Sequence, residues 1–341
     1  MRPFQYEHAD TPQAALRAAV ARVPADQPSV AAPVQFLAGG TNLIDMMKID
    51  VMRPERVVDI NALQETTLGR IETTRTGLRL GALARMAQAA EHPEVKRQYP
   101  VIAQSLTLAA SQQLRNMASL GGNVLQRTRC PYYRDTSYAE CNKRLPGSGC
   151  AALRGFNRMH AVLGTSEACI ASYPGDFAQA LIALDAKVDI LGPKGARTIP
   201  FANLHRLPGE TPHLETVLAP GELIAAFTVA PLPWARRSLY LKVRDRESYE
   251  FAVASAAVAL DLEGDTVRQA RIALGGIGTI PWRAQDAENT LKGKRLDGDA
   301  IAAAADAAFA GATPHEHNAF KIPLGKRTLA RALRETSMME L

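Results

Sequence analysis

The sequence predicts an α+β fold in two parts, and three observations carry that reading. In the first two thirds, short apolar strands are punctuated by helical stretches and glycine-rich turns. In the last third, strands come first and helices afterwards, the order that gives an antiparallel sheet with helices packed against it. Between the two parts, Pro231-Leu232-Pro233 reads as a linker. The chain has 341 residues, enough for two or three domains.

Thr11-Pro12 opens a helix, with Thr as N-cap, Pro at the first helical position, and Ala14, Ala15, Leu16, Ala18, Ala19 and Val20 behind them. Val34 to Ala38 is a short apolar strand that stops at Gly39-Gly40-Thr41-Asn42, and Leu43 to Met47 reads as the first turn of a helix. A strand, a glycine pair and a helix start suit an anion, because backbone N–H groups face outward and no side chain blocks approach. A plain turn with glycines at positive φ accounts for the same residues. Val57 to Ile60 and Leu78 to Leu80 read as strands, and Leu83 to Ala90 as a helix ending before Pro93. Val101 to Ala118 reads as one helix, with Ile102, Leu106, Ala109, Ala110, Leu114 and Met117 on one face. It breaks at Ser119-Leu120-Gly121-Gly122-Asn123, a second glycine-pair turn. Two such turns, far apart in sequence, suggest two jaws on one extended ligand.

Pro174-Gly175-Asp176 caps a helix from Phe177 to Leu184, with Asp176 as N-cap. Lys187 to Leu191, the turn Gly192-Pro193-Lys194-Gly195 and Arg197 to Ile199 read as a hairpin, and Leu223 to Val229 as a further strand. Beyond the linker, Leu239 to Val243, the apolar run Phe251 to Leu260 and Val267 to Gly275 form a meander that turns at Glu263-Gly264-Asp265. Ala284 to Leu291, Ala300 to Ala310 and Leu324 to Arg334 are its helices.

The apolar share is 47%, the aromatic share 6% and the net charge only +6, with acidic residues interspersed, so no nucleic-acid stripe exists. No apolar run reaches the length of a membrane span, and MRPFQYEHADTPQ has no apolar h-region of a secretory signal.

All four cysteines fall in one window, as C-x10-C-x8-C-x18-C at Cys130, Cys141, Cys150 and Cys169. Disulfides suit small secreted domains more than a chain of this length. Structural zinc usually takes ligand pairs two to four residues apart. An iron–sulfur cluster accepts more varied spacings. Four unrelated buried thiols are the remaining reading. The charges favour the cluster: Arg127, Arg129, Arg134, Lys143, Arg144, Arg154 and Arg158 face only Asp135 and Glu140 in this stretch, and cations stabilise thiolates. The loop from Cys130 to Gly149 has little apolar periodicity and needs a staple.

The dinucleotide, P-loop, zinc-protease and nucleophile-elbow motifs are all absent. His315 and His317 form an H-x-H pair that reads as surface loop, and no nucleophile–base pair stands out, so no catalytic residue is assigned. The chemistry belongs to a bound cofactor. Phe36 to Leu43, Ser119 to Asn123 and Gly275-Gly276-Ile277…Pro281-Trp282-Arg283 together resemble the FAD-binding medium subunit of the xanthine dehydrogenase/aldehyde oxidoreductase family of molybdenum hydroxylases. The resemblance covers essentially the whole chain. The insertion with CNKR and PGSGCAAL is most similar to FAD subunits of bacterial periplasmic aldehyde oxidoreductases, which carry an extra [4Fe–4S] cluster.

The resemblance implies a two-subdomain FAD-binding domain of the PCMH/vanillyl-alcohol-oxidase type over residues 1–231, with an iron–sulfur insertion at about 126–170, and a smaller α+β domain over 236–341. It implies FAD contacts from Leu37, Ala38, Gly39, Gly40, Thr41, Asn42 and Leu43, then from Ser119, Gly122 and Asn123, with Ala109, Ala110, Leu125 and Leu223 beside them. Asp176 would face the flavin and Lys242 would lie near the isoalloxazine, while Cys130, Cys141, Cys150 and Cys169 would ligate the cluster. The implied partners are a large molybdopterin subunit, a small [2Fe–2S] subunit and an external electron acceptor. The implied location is the periplasm, reached by co-export with a signal-bearing partner, with the cytoplasm as alternative. Two other functions fit the same residues: a reductase subunit of the 4-hydroxybenzoyl-CoA type, and a non-catalytic zinc-binding scaffold.

Overall fold

The structure is a computed structural model that describes residues 1–19 and 27–340. Val20, at the end of the first expected helix, lies outside those residues. Strand β1 (Gln5–His8), helix α1 (Pro12–Ala18), β2 (Val34–Leu37), α2 (Leu43–Lys48) and β3 (Arg56–Asp59) build a parallel three-stranded sheet of order β1-β3-β2. As expected, Thr11 caps α1, its Oγ1 accepting from Ala14 N at 3.1 Å. Leu37, the last residue of β2, pairs with Asp59, so the first glycine segment leaves from the end of a fixed strand.

A second unit follows: β4 (Ile71–Thr74), β5 (Gly77–Gly81), α3 (Met86–Glu91), α4 (Pro93–Gln98), α5 (Pro100–Thr107), α6 (Gln112–Met117), α7 (Leu120–Val124), α8 (Pro131–Arg134), α9 (Phe177–Ala183), β6 (Lys187–Gly192), β7 (Gly195–Pro200) and β8 (Leu223–Val229). Its strands form an antiparallel sheet ordered β4-β5-β8-β6-β7. The core beneath it includes Leu78, Leu80, Ile102, Leu106, Phe177 and Phe227, all fully buried.

The last unit is β9 (Ser238–Val243), β10 (Ala254–Glu263), β11 (Thr266–Gly275), β12 (Trp282–Arg283), α10 (Gln285–Leu291), α11 (Gly298–Ala308) and α12 (Lys321–Ser337), with strand order β12-β11-β10-β9. Strand β10 reads as one unbroken apolar run because both of its faces are covered. Ala254, Ala256, Val258 and Leu260 face the core shared with α10–α12, while Ala257 and Ala259 face the core of the second unit. The small side chains on that second face let α9 come close.

Four local expectations are corrected. The helix expected over 101–118 is two helices, because Leu108 O accepts from Lys242 Nζ on β9 (3.1 Å) and from Arg244 Nη1 just beyond it (3.2 Å), ending α5. Ala110 then takes φ 49°, and Ser111 caps α6. The helix expected from Leu83 starts only at Met86, because Ala82 N and Leu83 N bond to Ala225 O and Leu68 O. The second glycine pair is not an open turn but the short helix α7, with Ser119 Oγ accepting from Gly122 N at 3.2 Å. Asp176 stands at the N-cap position without capping; its carboxylate is taken by Lys242 and Tyr240 instead.

Candidate functional site

The two glycine segments meet. Gly39 lies so near the end of α6 that an added Cβ would stand 1.9 Å from Met117 O, and Gly40 has φ 72°. Polar bonds rivet the segments together. Asn42 Oδ1 accepts from Arg127 N at 3.0 Å. Asn61 donates to Ala38 O (3.0 Å) and accepts from Arg85 Nη2 (2.9 Å), while Arg85 Nη1 also reaches Met117 O.

They line one cleft of about 370 Å³, closed by residues 169–174 and by the loop and strand start over 205–224. Ala38, Gly39, Gly40, Thr41, Asn42, Leu43, Ser119, Gly122, Leu125 and Leu223 are all on its lining. Leu37 packs instead with Met46 and Val57 beneath the first sheet. Asn123 is off the lining, yet its buried Oδ1 has no partner, like the buried Nδ2 of Asn42. Ala109, Ala110, Asp176 and Lys242 stand outside the cleft. Lys242 Nζ bonds Asp176 Oδ2 at 2.8 Å, and Tyr240 Oη donates to Asp176 Oδ1 at 2.6 Å, with the Lys and Asp side chains 1% and 4% exposed.

The cleft's charge was not foreseen. Glu215 is shared by Arg127 and by Lys143, whose Nζ lies 2.9 Å from Glu215 Oε1. Two mostly buried cations with one carboxylate leave an excess positive charge, which an anionic ligand would neutralise. Burial pushes the Lys143 ammonium pKa down. His205, held down to about 4 by burial, is neutral and meets Val124 O at 3.2 Å. Bare glycine backbone, the orphaned Asn42 Nδ2 and unbalanced cations fit a dinucleotide carrying a pyrophosphate. Arg127 and Lys143 were counted in sequence only as part of a basic window; Glu215 and His205 had no signal, since their loop has neither periodicity nor motif.

Beside the cleft lies a smaller cavity lined by all four cysteines. All are free thiols, so the disulfide reading falls. Cys141 and Cys150 pair across an antiparallel bridge, and Cys169, Ala171 and Lys143 line both cavities. Burial pushes the Cys130 thiol up to about 12, whereas a hydrogen bond from Cys169 brings Cys150 down to about 7. Among the described residues, no three His, Cys, Asp or Glu side chains stand close enough to chelate a single metal ion. The four thiols line one cavity, the donor type that iron–sulfur clusters and structural zinc both take. The expected staple of the loop is polar. Arg144 Nη1 bonds Tyr133 O at 2.7 Å, and Asn142 ties Gly149 N (2.9 Å) to Ala168 O (3.0 Å). His160 Nε2 lies 3.1 Å from Cys130 Sγ. His315 and His317 are half-buried rather than free surface, and His317 N donates to Asn157 Oδ1 at 2.9 Å.

Residues 2–232 match the family described as the FAD binding domain in molybdopterin dehydrogenase, and residues 239–336 match the CO dehydrogenase flavoprotein C-terminal domain. The chain belongs to the molybdopterin dehydrogenase FAD-binding family. The family resemblance read from the sequence is thereby borne out, and the non-catalytic scaffold gives way to an FAD-binding oxidoreductase subunit. The chain is 47% identical to the aldehyde oxidoreductase FAD-binding subunit PaoB of Escherichia coli, over 98% of each chain. It is 27% identical to the glyceraldehyde dehydrogenase medium chain of Sulfolobus acidocaldarius, covering 78% of this chain and 75% of that one. Its fold is similar to a chain of the carbon monoxide dehydrogenase of Hydrogenophaga pseudoflava, with TM-score 0.73, 24% identity and 99% of each chain covered. Among the described residues of this FAD-binding subunit, no helix is long and apolar enough to cross a membrane.

Proposed function

We propose that this chain is the FAD- and [4Fe–4S]-carrying electron-transfer subunit of a molybdenum-dependent aldehyde oxidoreductase. It works in a heterotrimer with a large molybdopterin subunit and a small [2Fe–2S] subunit, and delivers electrons to an external acceptor. One observation carries the reading: the glycine-walled cleft and the four-thiol cavity share Cys169, Ala171 and Lys143 as a common wall. The 47% identity to a subunit named for aldehyde oxidation supports the substrate class. When bound, FAD supplies two-electron acceptance with one-electron release, and the cluster supplies single-electron storage.

Gly39, Gly40 and the start of α2 offer bare N–H groups to the pyrophosphate, each worth on the order of 1.5–3 kcal/mol as a charge-assisted bond. Arg127 and Lys143 would balance its charge, and the free Nδ2 of Asn42 would donate to the cofactor's polar edge. Cys130, Cys141, Cys150 and Cys169 would hold the cluster, Cys141 and Cys169 from buried positions and Cys130 and Cys150 from half-buried ones. The protein resides in the periplasm, exported with a signal-bearing partner, which cell fractionation tests.

The deciding experiment purifies the chain with its co-expressed partners without oxygen and counts flavin, iron, sulfide and zinc. About four irons and four sulfides per chain alongside FAD support the reading. Flavin with zinc, or with no metal, overturns the cluster, and absence of flavin overturns the whole.

A further inference from the structure

The segment that returns from the cysteine insertion, residues 157–161, is gripped by the stretch 315–321 at the start of α12. His317 N donates to Asn157 Oδ1 at 2.9 Å. Asn318, itself fully buried, donates through Nδ2 to Ala161 O (3.0 Å) and His160 O (3.4 Å). The wholly buried Lys321 donates to Met159 O (3.0 Å) and Gly276 O (2.7 Å). Arg158 stacks over Phe320, 5.0 Å from the ring centroid, and pairs with Asp245 at 2.7 Å. Every residue from Asn157 to Ala161 is therefore fixed by a group far along the chain. What this grip sets behind Cys130, itself on the wall of the thiol cavity, is the His160 ring, 2% exposed, with Nε2 3.1 Å from Cys130 Sγ. The other ring nitrogen, Nδ1, is buried without a partner.

A metal-bound thiolate accepts hydrogen bonds and donates none, so opposite a ligating Cys130 the Nε2 atom carries the proton. A hydrogen bond to a cluster sulfur drains charge from it and raises the reduction potential. We infer that His160 is a tuning residue of the thiol-held cluster, raising its potential through an N–H···S bond to Cys130, and that Asn318 and Lys321 are the positioning residues that hold it there. The inference rests on the cluster reading above.

The test uses the anaerobically purified complex with all its subunits, titrating the cluster by EPR-monitored potentiometry with iron and sulfide counted in each preparation. His160→Leu keeps its iron and shifts the midpoint to lower potential; His160→Gln, which retains an N–H donor, returns it toward wild type. Asn318→Ala shifts it the same way by less, with flavin content unchanged. Independently of any variant, pulsed EPR of the reduced wild-type cluster with 15N-labelled histidine shows a histidine-nitrogen coupling. Iron-replete His160→Leu at the wild-type midpoint, or no histidine coupling in the wild type, overturns the tuning role while leaving the cluster intact. A wild type without iron and sulfide overturns both. Should His160→Leu fail to load iron, the histidine coupling and the Asn318→Ala midpoint decide.

Discussion

Gly39→Ala is the sharpest test of the cleft. Its new Cβ would stand 1.9 Å from Met117 O and 2.6 Å from Met117 C, roughly 1.5 Å inside ordinary contact. The obstacle is backbone, so no side chain can swing away. Relief requires the two glycine segments to part, against the bonds Asn42–Arg127 and Asn61–Arg85. The cost lies at the top of the overpacking range, about 3 kcal/mol. If it falls on the closed, cofactor-holding arrangement, FAD affinity drops roughly 100-fold. Two neighbours calibrate the effect. Gly40→Ala places a Cβ 3.1 Å from the Ile44 side chain at φ 72° and costs about 1–2 kcal/mol. Gly122→Ala meets only Ser119 Oγ, at 2.9 Å, and costs about 1 kcal/mol, since turning that hydroxyl aside gives up its cap on α7. Urea unfolding of the complex-free chain and flavin fluorescence titration should rank the losses as Gly39, then Gly40, then Gly122. A Gly39→Ala protein with wild-type stability and flavin content would refute the close approach of the two segments.

Three further outcomes are expected. Lys242→Met strands the buried Asp176 carboxylate and should lower unfolding free energy by about 3–5 kcal/mol, whereas adding Asp176→Leu recovers most of it; a double variant no better than the single contradicts the pairing. Burial holds Lys321 near about 7 against 10.5 when unfolded, so between these values the unfolded chain binds the extra proton and stability rises with pH. Relative to Lys321→Met, the wild type should therefore lose up to about 1.4 kcal/mol per pH unit from pH 9 down to pH 7; denaturation curves whose difference is flat with pH reject this. Arg197 holds the Glu222 carboxyl below its usual range, a contribution present above that range and lost as pH falls through the lowered value. Arg197→Met should cost about 1 kcal/mol at pH 7, a gap that closes in acid-unfolding curves as pH falls through the lowered Glu222 value.

What was legible in the sequence is what neighbouring residues decide. The Thr11-Pro12 cap, the turn at Gly264 and the doubly covered run in β10 are local or strictly periodic patterns. The glycine pairs were legible because only glycine tolerates Met117 O against Gly39 or φ 72° at Gly40. The break at Leu108 was not, because its cause, Lys242, lies 134 residues away. The same distance in sequence hid the trio in the cleft: Glu215 is 88 residues from Arg127 and 72 from Lys143. Asp176 shows the subtler failure: a residue with good capping chemistry at a helix start was recruited by a stronger, distant partner.

Strands β9–β11 serve two cores at once, and that has a bearing on ancestry. The two family spans meet between residues 232 and 239, the simplest place for an exchange of gene segments. Yet Lys242 of the second span neutralises Asp176 of the first, and Arg283 pairs with Asp185 at 2.8 Å. A hybrid that takes one half from a relative risks inheriting Lys242 or Asp176 as a buried ion without its counter-ion, so the two halves are bound to diverge as a matched pair.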